Sequence, residues 1–218
     1  MKIKIKERSM PFCIEGVRDL LENRATLTRR LIGLKHINEH PDNWHLSGDC
    51  LEDKTTGERI CIDSDHCPYG KVGECLYVTE PWCYKMDAVT AEVHEDEFWY
   101  KATNPEVVKL DDDGSYAFHK DGWGASPWIS ARHMPKKASR ITLEIINSKL
   151  QRLHDISREE IRAEGIILPM SARFTPNDKF SELHQEYAWW WDSMNKKRGY
   201  PFSGNFWTWL IGIKKVEK

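Results

Sequence analysis

The sequence predicts an α+β fold, a small β-barrel with helices packed outside it. Three observations point there. Short strand-like runs recur along the chain with few helices between them. One run, residues 139–153, sets Ile141, Leu143 and Ile145 at alternate positions, the period of a strand with one inward face. One segment, residues 179–197, carries Phe180, Leu183, Tyr187, Trp190, Trp191 and Met194 within an arc of about 100° at helical pitch. The 218 residues suit a single domain with insertions at about 38–65 and 83–127.

The elements follow in order. Residues 2–6 alternate Lys and Ile and read as a strand, without the apolar middle of a secretory leader. No apolar run approaches the roughly 20 residues a membrane span needs. A cytoplasmic protein is therefore expected, with its six cysteines as reduced thiols. Residues 14–22 place Ile14, Val17, Leu20 and Leu21 on one helical stripe, and Asn23 is a suitable stop. Residues 28–33 read as a strand. Residues 50–61 read as a hairpin turning at Thr55, Thr56 and Gly57. A turn over 68–73 leads into a strand over 74–80, which Pro81 and Trp82 end. Asp112, Asp113 and Gly114 suit another hairpin turn, and residues 121–127 and 128–135 read as loops. Ser157 and Glu160 form a capping box that opens a short helix ending before Gly165. Residues 172–178 read as a link. Trp189 lies about 150° from the centre of the apolar arc of the last helix. It is expected to pack under an insertion rather than to face water or a ligand. Residues 204–215 close the chain as a strand.

Charge is unevenly spread. Between Met86 and Asp113 there are nine acidic residues against two lysines, a charge of −7. The rest of the chain then holds 30 Lys and Arg against 25 Asp and Glu, or +5. A mildly basic body suits a nucleic-acid binder, whereas the acidic segment would repel phosphates and favours a protein partner. The ten tryptophans offer rings that stack on bases or fill interfaces.

Candidate chemistry is sparse. Cys50, Cys61, Cys67 and Cys75, with His45 and His66, have no CxxC pair and match no common zinc spacing, so structural thiols are preferred and no metal is assigned. Whether Cys50 faces Cys61 across the hairpin depends on the turn register. Cys83 has no histidine beside it in sequence. Asp111–Gly114 lacks the closing glutamate of a calcium loop. Glu164 stands at the C-terminal end of its helix, where the dipole disfavours a carboxylate by about 0.3–1 kcal/mol. Such an acid is either a base in a site or a surface residue. Arg132, His133, Lys136, Lys137 and Arg140 make a basic run beside Trp128, suited to a phosphate backbone or to water alone. The turn of residues 23–32 delivers Thr26 and Thr28 with Arg24, Arg29 and Arg30, and suits a solvated turn or an anionic ligand.

Residues 17–30, 67–82, 133–143, 153–165 and 191–195 with the final strand, taken in order, resemble an ASCH domain of the PUA-like superfamily. They resemble the larger form common in phages and prophages, and cover about two thirds of the chain. The resemblance implies a β-barrel with a cleft beside the first helix that binds RNA or a modified nucleoside. Some small bacterial members hydrolyse N4-acetylcytidine with a lysine and a threonine of the first turn and a glutamate ending the later helix. The threonine matches Thr28, the glutamate Glu164, and the motif's closing arginine Arg30, but the lysine position is Ala25. A threonine hydroxyl needs an activating neighbour, and a guanidinium such as Arg24 cannot act as a base.

The expectation is a binding module without a cofactor. RNA or a nucleoside would lie against Arg24, Arg29, Arg30, Lys71, Trp82, Trp128, Arg132, His133, Lys136 and Arg140. The alternatives are a hydrolase using Thr28 and Glu164, related to the amidohydrolases or to ribonucleases, and a phage protein that docks on a host protein.

Overall fold

The computed structural model describes residues 8–48, 50–61, 67–87, 90–108, 123–167 and 182–216. Its elements are β1 (Arg8–Pro11), α1 (Ile14–Leu21), β2 (Leu27–Arg30), α2 (Lys35–Glu39), β3 (Trp44–Ser47), β4 (Cys50–Asp53) and β5 (Arg59–Cys61). There follow β6 (Cys75–Thr79), β7 (Trp82–Asp87), β8 (Val93–Tyr100), β9 (Trp123–Ala125), β10 (Thr142–Arg152), α3 (Arg158–Ala163), α4 (Glu182–Asn195) and β11 (Trp207–Val216). The class is mixed α+β. The expected strand at 2–6, the Asp112–Gly114 turn, the 172–178 link, His66 and the first turn of the 179–197 helix lie outside the described residues. Among the described residues no helix is long and apolar enough to cross a membrane.

The chain divides into two compact units. The first comprises residues 1–23, 75–143 and 215–218. In it β1 runs parallel to β6, with Arg8 opposite Leu76 and Pro11 opposite Thr79. α1 begins at Cys13, whose Sγ accepts from the Gly16 amide, and buries Val17 and Leu20. Glu22 caps it, and Asn23 takes a left-handed φ of 57°, the role its short polar side chain tolerates. β7 pairs antiparallel with both β8 and β9. Trp82 therefore opens a strand rather than ending one, and 123–125 is a strand rather than a loop. β8 was hard to read because its acidic side chains are exposed and interrupt any regular apolar alternation. Trp82, Met134 and Ala138 form a small core with Tyr84, Phe98, Tyr100 and Ile129 against it. Beside it, buried Glu80 receives Nε and Nη2 of Arg140 at 2.8 and 3.0 Å.

The second unit comprises residues 24–74 and 144–214. β10 starts in the first unit and continues into this one, where β11 pairs antiparallel with β2. β3, β4 and β5 form a separate antiparallel sheet. Its hairpin turns where expected: the Asp53 carboxylate accepts from the Thr55 and Thr56 amides, and Gly57 supplies a φ of +72°. The Thr55 hydroxyl, which also donates to this carboxylate, and those amides hold the Asp53 carboxyl down at about 2. Cys50 is disulfide-bonded, not a free thiol, and its Cα partner across the hairpin is Cys61.

The core of this unit gathers Leu153, Ile156, Ile161, Leu183, Tyr187, Trp191 and Phe202. Ser157 and Glu160 form the expected capping box. α4 buries Leu183, Tyr187 and Trp191 on the expected stripe, but its buried last residue is Asn195, with Met194 only half-buried. Trp189 is 72% exposed, so it faces water among the described residues rather than packing under an insertion. Asn38 ties α2 to β11: its amide donates to the Trp207 carbonyl and its oxygen accepts from the Trp207 amide.

Candidate functional site

Segment 25–30 passes between the end of α3 and strand β11. Ala25 bridges Glu164, the Thr26 amide donates to Ala163 O at 2.7 Å, and the Ile213 amide donates to Thr26 O at 2.9 Å. Glu164 caps α3, and Gly165 follows with a φ of +94°, so the chain turns there at low steric cost. The backbone thus brings the end of α3 beside the start of β2.

β2 then sorts its side chains by strand alternation. Arg29 points toward α3 and α4. Its Nη1 pairs with Glu164 Oε1, and its Nη2 donates to Glu160 at 2.9 Å and to Gln151 at 2.7 Å. The Tyr187 hydroxyl donates to Glu164 Oε2 at 3.2 Å, and the Arg29 guanidinium lies 5.9 Å from the Tyr187 ring centre. Lys149 reaches Glu160 from the solvent side at 3.2 Å. The Arg29 side chain is fully buried, with Glu164 and Tyr187 beside it. Burial pushes the Glu164 carboxyl above its ordinary range, against the pull of Arg29. Burial pushes the other way on Arg29, but Glu164, Tyr187 and Glu160 hold its pKa above the usual value. Burial also raises the Tyr187 phenol, so it stays a hydrogen-bond donor. A pair of this kind is costly to break, about 3–5 kcal/mol when one partner is lost, because the other charge stays buried.

Thr28 and Arg30 share the opposite face of β2. Thr28 lies across from Ile211 and Arg30 across from Trp209. Directly opposed residues share a face, so Trp209 and Arg30 lie side by side. Trp209 is buried, and among the described residues its indole Nε1 has no hydrogen-bond partner. The turn at Pro68 and Tyr69 lies near the end of β2: a Cβ on Gly33 would meet Pro68 Cγ at 3.7 Å. Burial raises the Tyr69 phenol above its ordinary value, against the charges of Arg30 and Arg198, which lower it.

The expected site residues are therefore dispersed. In the second unit, Glu164 meets Ala25 and Arg29, while Thr28 and Arg30 lie on the other face of the strand. Arg29 is engaged through Nη1 and Nη2 by Glu164, Glu160 and Gln151 and is not available to a phosphate. Arg24 is half-buried, and Lys71 is exposed. In the first unit, Trp82 is a core residue, buried to 2% and unable to stack on a base. Arg140 is committed to Glu80 and lies 4.1 Å over the Tyr100 ring. Arg132, His133 and Lys136 are exposed on two consecutive 3-10 turns, Ala131–His133 and Lys136–Ala138, and Trp128 is half-buried.

The sequence reading missed Glu160, Tyr187 and Gln151 as partners of Arg29. Glu160 was legible only as a cap residue and Tyr187 only as part of an apolar stripe. Among the described residues no three potential metal ligands converge. Comparison with protein-family models, curated proteins and solved structures returns no match for the chain.

Proposed function

We propose that the chain is a PUA-like, ASCH-type domain that binds RNA or a modified nucleoside and does not hydrolyse it. The observation that carries this reading is the Ala25–Glu164 bridge. Two positions 139 residues apart, which the resemblance assigns to one cleft, are backbone neighbours. Binding is favoured over hydrolysis by what surrounds them. Ala25 offers no ammonium, Glu164 is engaged by Arg29 and Tyr187, and the Thr28 side chain leaves from the other face of β2. A nucleophile and its base need to sit within hydrogen-bond reach, and this pair is not arranged that way.

Cationic side chains outside the Arg29 cluster support the reading: Arg132, His133 and Lys136 are exposed in the first unit, and Arg198 is exposed in the second. Contacts of that kind bind the phosphate backbone and weaken as salt rises. The test is fluorescence anisotropy of a labelled single-stranded RNA at two salt concentrations. Binding that falls steeply with salt is expected, and no binding even at low salt contradicts the proposal. In parallel, chromatography of N4-acetylcytidine incubated with the protein should show no release of cytidine. Robust turnover would replace the binding reading with an enzymatic one.

A further inference from the structure

We propose that Lys137 is a further phosphate contact of the RNA-binding face, and that Asp96 of β8 competes with RNA for it. The inference rests on the RNA-binding reading. It names a residue of that site and the group within the chain that restrains it.

The two residues belong to the first unit and meet at its surface. Lys137 stands on the 3-10 turn Lys136–Ala138, which follows the turn that exposes Arg132 and His133. Its ammonium donates to Asp96 Oδ1 at 3.0 Å. Both side chains are open to solvent, Lys137 at 52% and Asp96 at 88%. The turn is anchored from beneath by the same strand. Phe98 and Tyr100 of β8 pack against buried Met134 and Ala138, and the Tyr100 hydroxyl donates to the Ala138 carbonyl at 2.8 Å. The basic turn is therefore held beside β8, and only side chains at the rim need to move.

A break in the β7–β8 ladder brings the acids there. His94 lies opposite Lys85 and Phe98 opposite Tyr84. Glu95, Asp96 and Glu97 fall in the register shift between these pairs, with no Cα partner on β7 among the described residues. A bulge re-aims the side chains it carries. Glu97 is taken by Lys85 at 2.9 Å, and Lys85 also lies 4.8 Å over the Trp99 ring. Asp96 reaches Lys137 instead. The bond to Asp96 raises the Lys137 ammonium above its ordinary pKa, and the charges of Asp96 and Glu95 add to this against desolvation. Two carboxylates thus act on one lysine.

A carboxylate on an ammonium occupies the place that a phosphate oxygen would take. An exposed pair of this sort is weak and screened by salt, so an arriving polyanion can displace it. RNA that uses Lys137 has to break the pair, and the freed Asp96 then stands near the phosphate. The acidic bulge thereby lowers the affinity of the basic turns for RNA.

Fluorescence anisotropy of a labelled single-stranded RNA over a salt series compares the full chain with Asp96→Asn, Lys137→Gln and the double variant. Both positions are exposed, so the fold is kept. Asp96→Asn should bind about threefold tighter at low salt. Its salt slope should steepen by about 0.7, the counterion release of one further phosphate contact on a single strand. Lys137→Gln should bind more weakly than the wild type, and adding Asp96→Asn to it should restore little of the gain. This cycle separates competition for one lysine from the general loss of a negative charge, which would help both backgrounds equally. A gain of the same size with and without Lys137, or no gain while the wild type binds, would overturn the inference and leave the RNA-binding reading standing. Absence of binding by the wild type and Asp96→Asn alike would overturn both.

Discussion

Arg29 and Arg30 are consecutive in the chain and meet opposite environments. Arg29 turns toward α3 and α4 and is buried among Glu164, Glu160, Gln151 and Tyr187. Arg30 turns to the other side, half-buried, beside Trp209. The difference comes from strand alternation alone, since one residue of offset sends a side chain to the other face. It puts one guanidinium between two carboxylates and the other on the face of the strand that Trp209 shares. The guanidinium that sequence alone would choose for phosphate binding is not distinguishable from its neighbour until the register is known.

Breaking the Arg29 side gives the largest expected effect. Arg29→Met leaves Glu164 buried beside Tyr187 without its cation, and should lower the unfolding free energy by about 3–5 kcal/mol in a denaturant titration. The double variant Arg29→Met with Glu164→Leu removes both buried charges. It should be less destabilised than the two single changes sum to, by roughly 1–3 kcal/mol. Strict additivity would mean that the two groups do not act as a pair.

An acid titration sharpens the same side. Burial raises Glu160, but its bond from the Ser157 amide, the charge of Arg29 and its bonds to Lys149 and Gln151 outweigh this and hold it below the ordinary 4.5. A depressed folded value means stability that is present above the unfolded pKa and lost as pH falls through the folded one. Glu164 has the opposite sign: its raised value favours the folded state at low pH and loses that contribution as pH rises through it. Replacing Glu160 by Gln should therefore flatten the stability loss below pH 4.5, whereas Glu164→Gln should not. Thermal melts of the two variants at several pH values separate them, and identical acid profiles would refute the assignment.

Smaller effects are expected on the exposed basic turns. Lys136→Ala and Arg132→Ala should each weaken RNA binding modestly and reduce its salt slope by about 1, with little change in stability. Anisotropy over a salt series reads both. Smallest of all, Cys83 should resist alkylation in the folded state at pH 8. It is buried, and desolvation pushes its thiol up to about 12, so the thiolate that reacts is nearly absent. Mass spectrometry after iodoacetamide treatment should find Cys83 unmodified while half-buried Cys13 and Cys75 react.

Much of the fold was legible because its signals are local. Asn23 ends α1, Ser157 and Glu160 cap α3, Gly57 turns the β4–β5 hairpin, and the stripe of α4 buries Leu183, Tyr187 and Trp191. β8 escaped because its apolar residues are interrupted by acids that face solvent, which breaks the simple alternation, and β7 because Pro81 and Trp82 read as the end of the strand before it. Glu164 was legible as an unusual acid, since a carboxylate at a helix C-terminus needs a reason. The reason, Arg29, lies 135 residues away, and no local pattern joins the two. The same holds for Arg140 and Glu80, which are 60 residues apart. Charged residues in sequence carry no mark of whether a partner will neutralise them, and that is why Arg29 and Arg140 were expected at phosphates.

The contrast between the two faces of β2 is tested most directly by denaturant titration of Arg29→Met and Arg30→Met beside the wild type. The account predicts the larger loss of unfolding free energy for Arg29→Met, which leaves the Glu164 carboxylate buried without its partner. Equal losses in the two variants would contradict it, since the two faces of the strand would then hold their guanidinium groups alike.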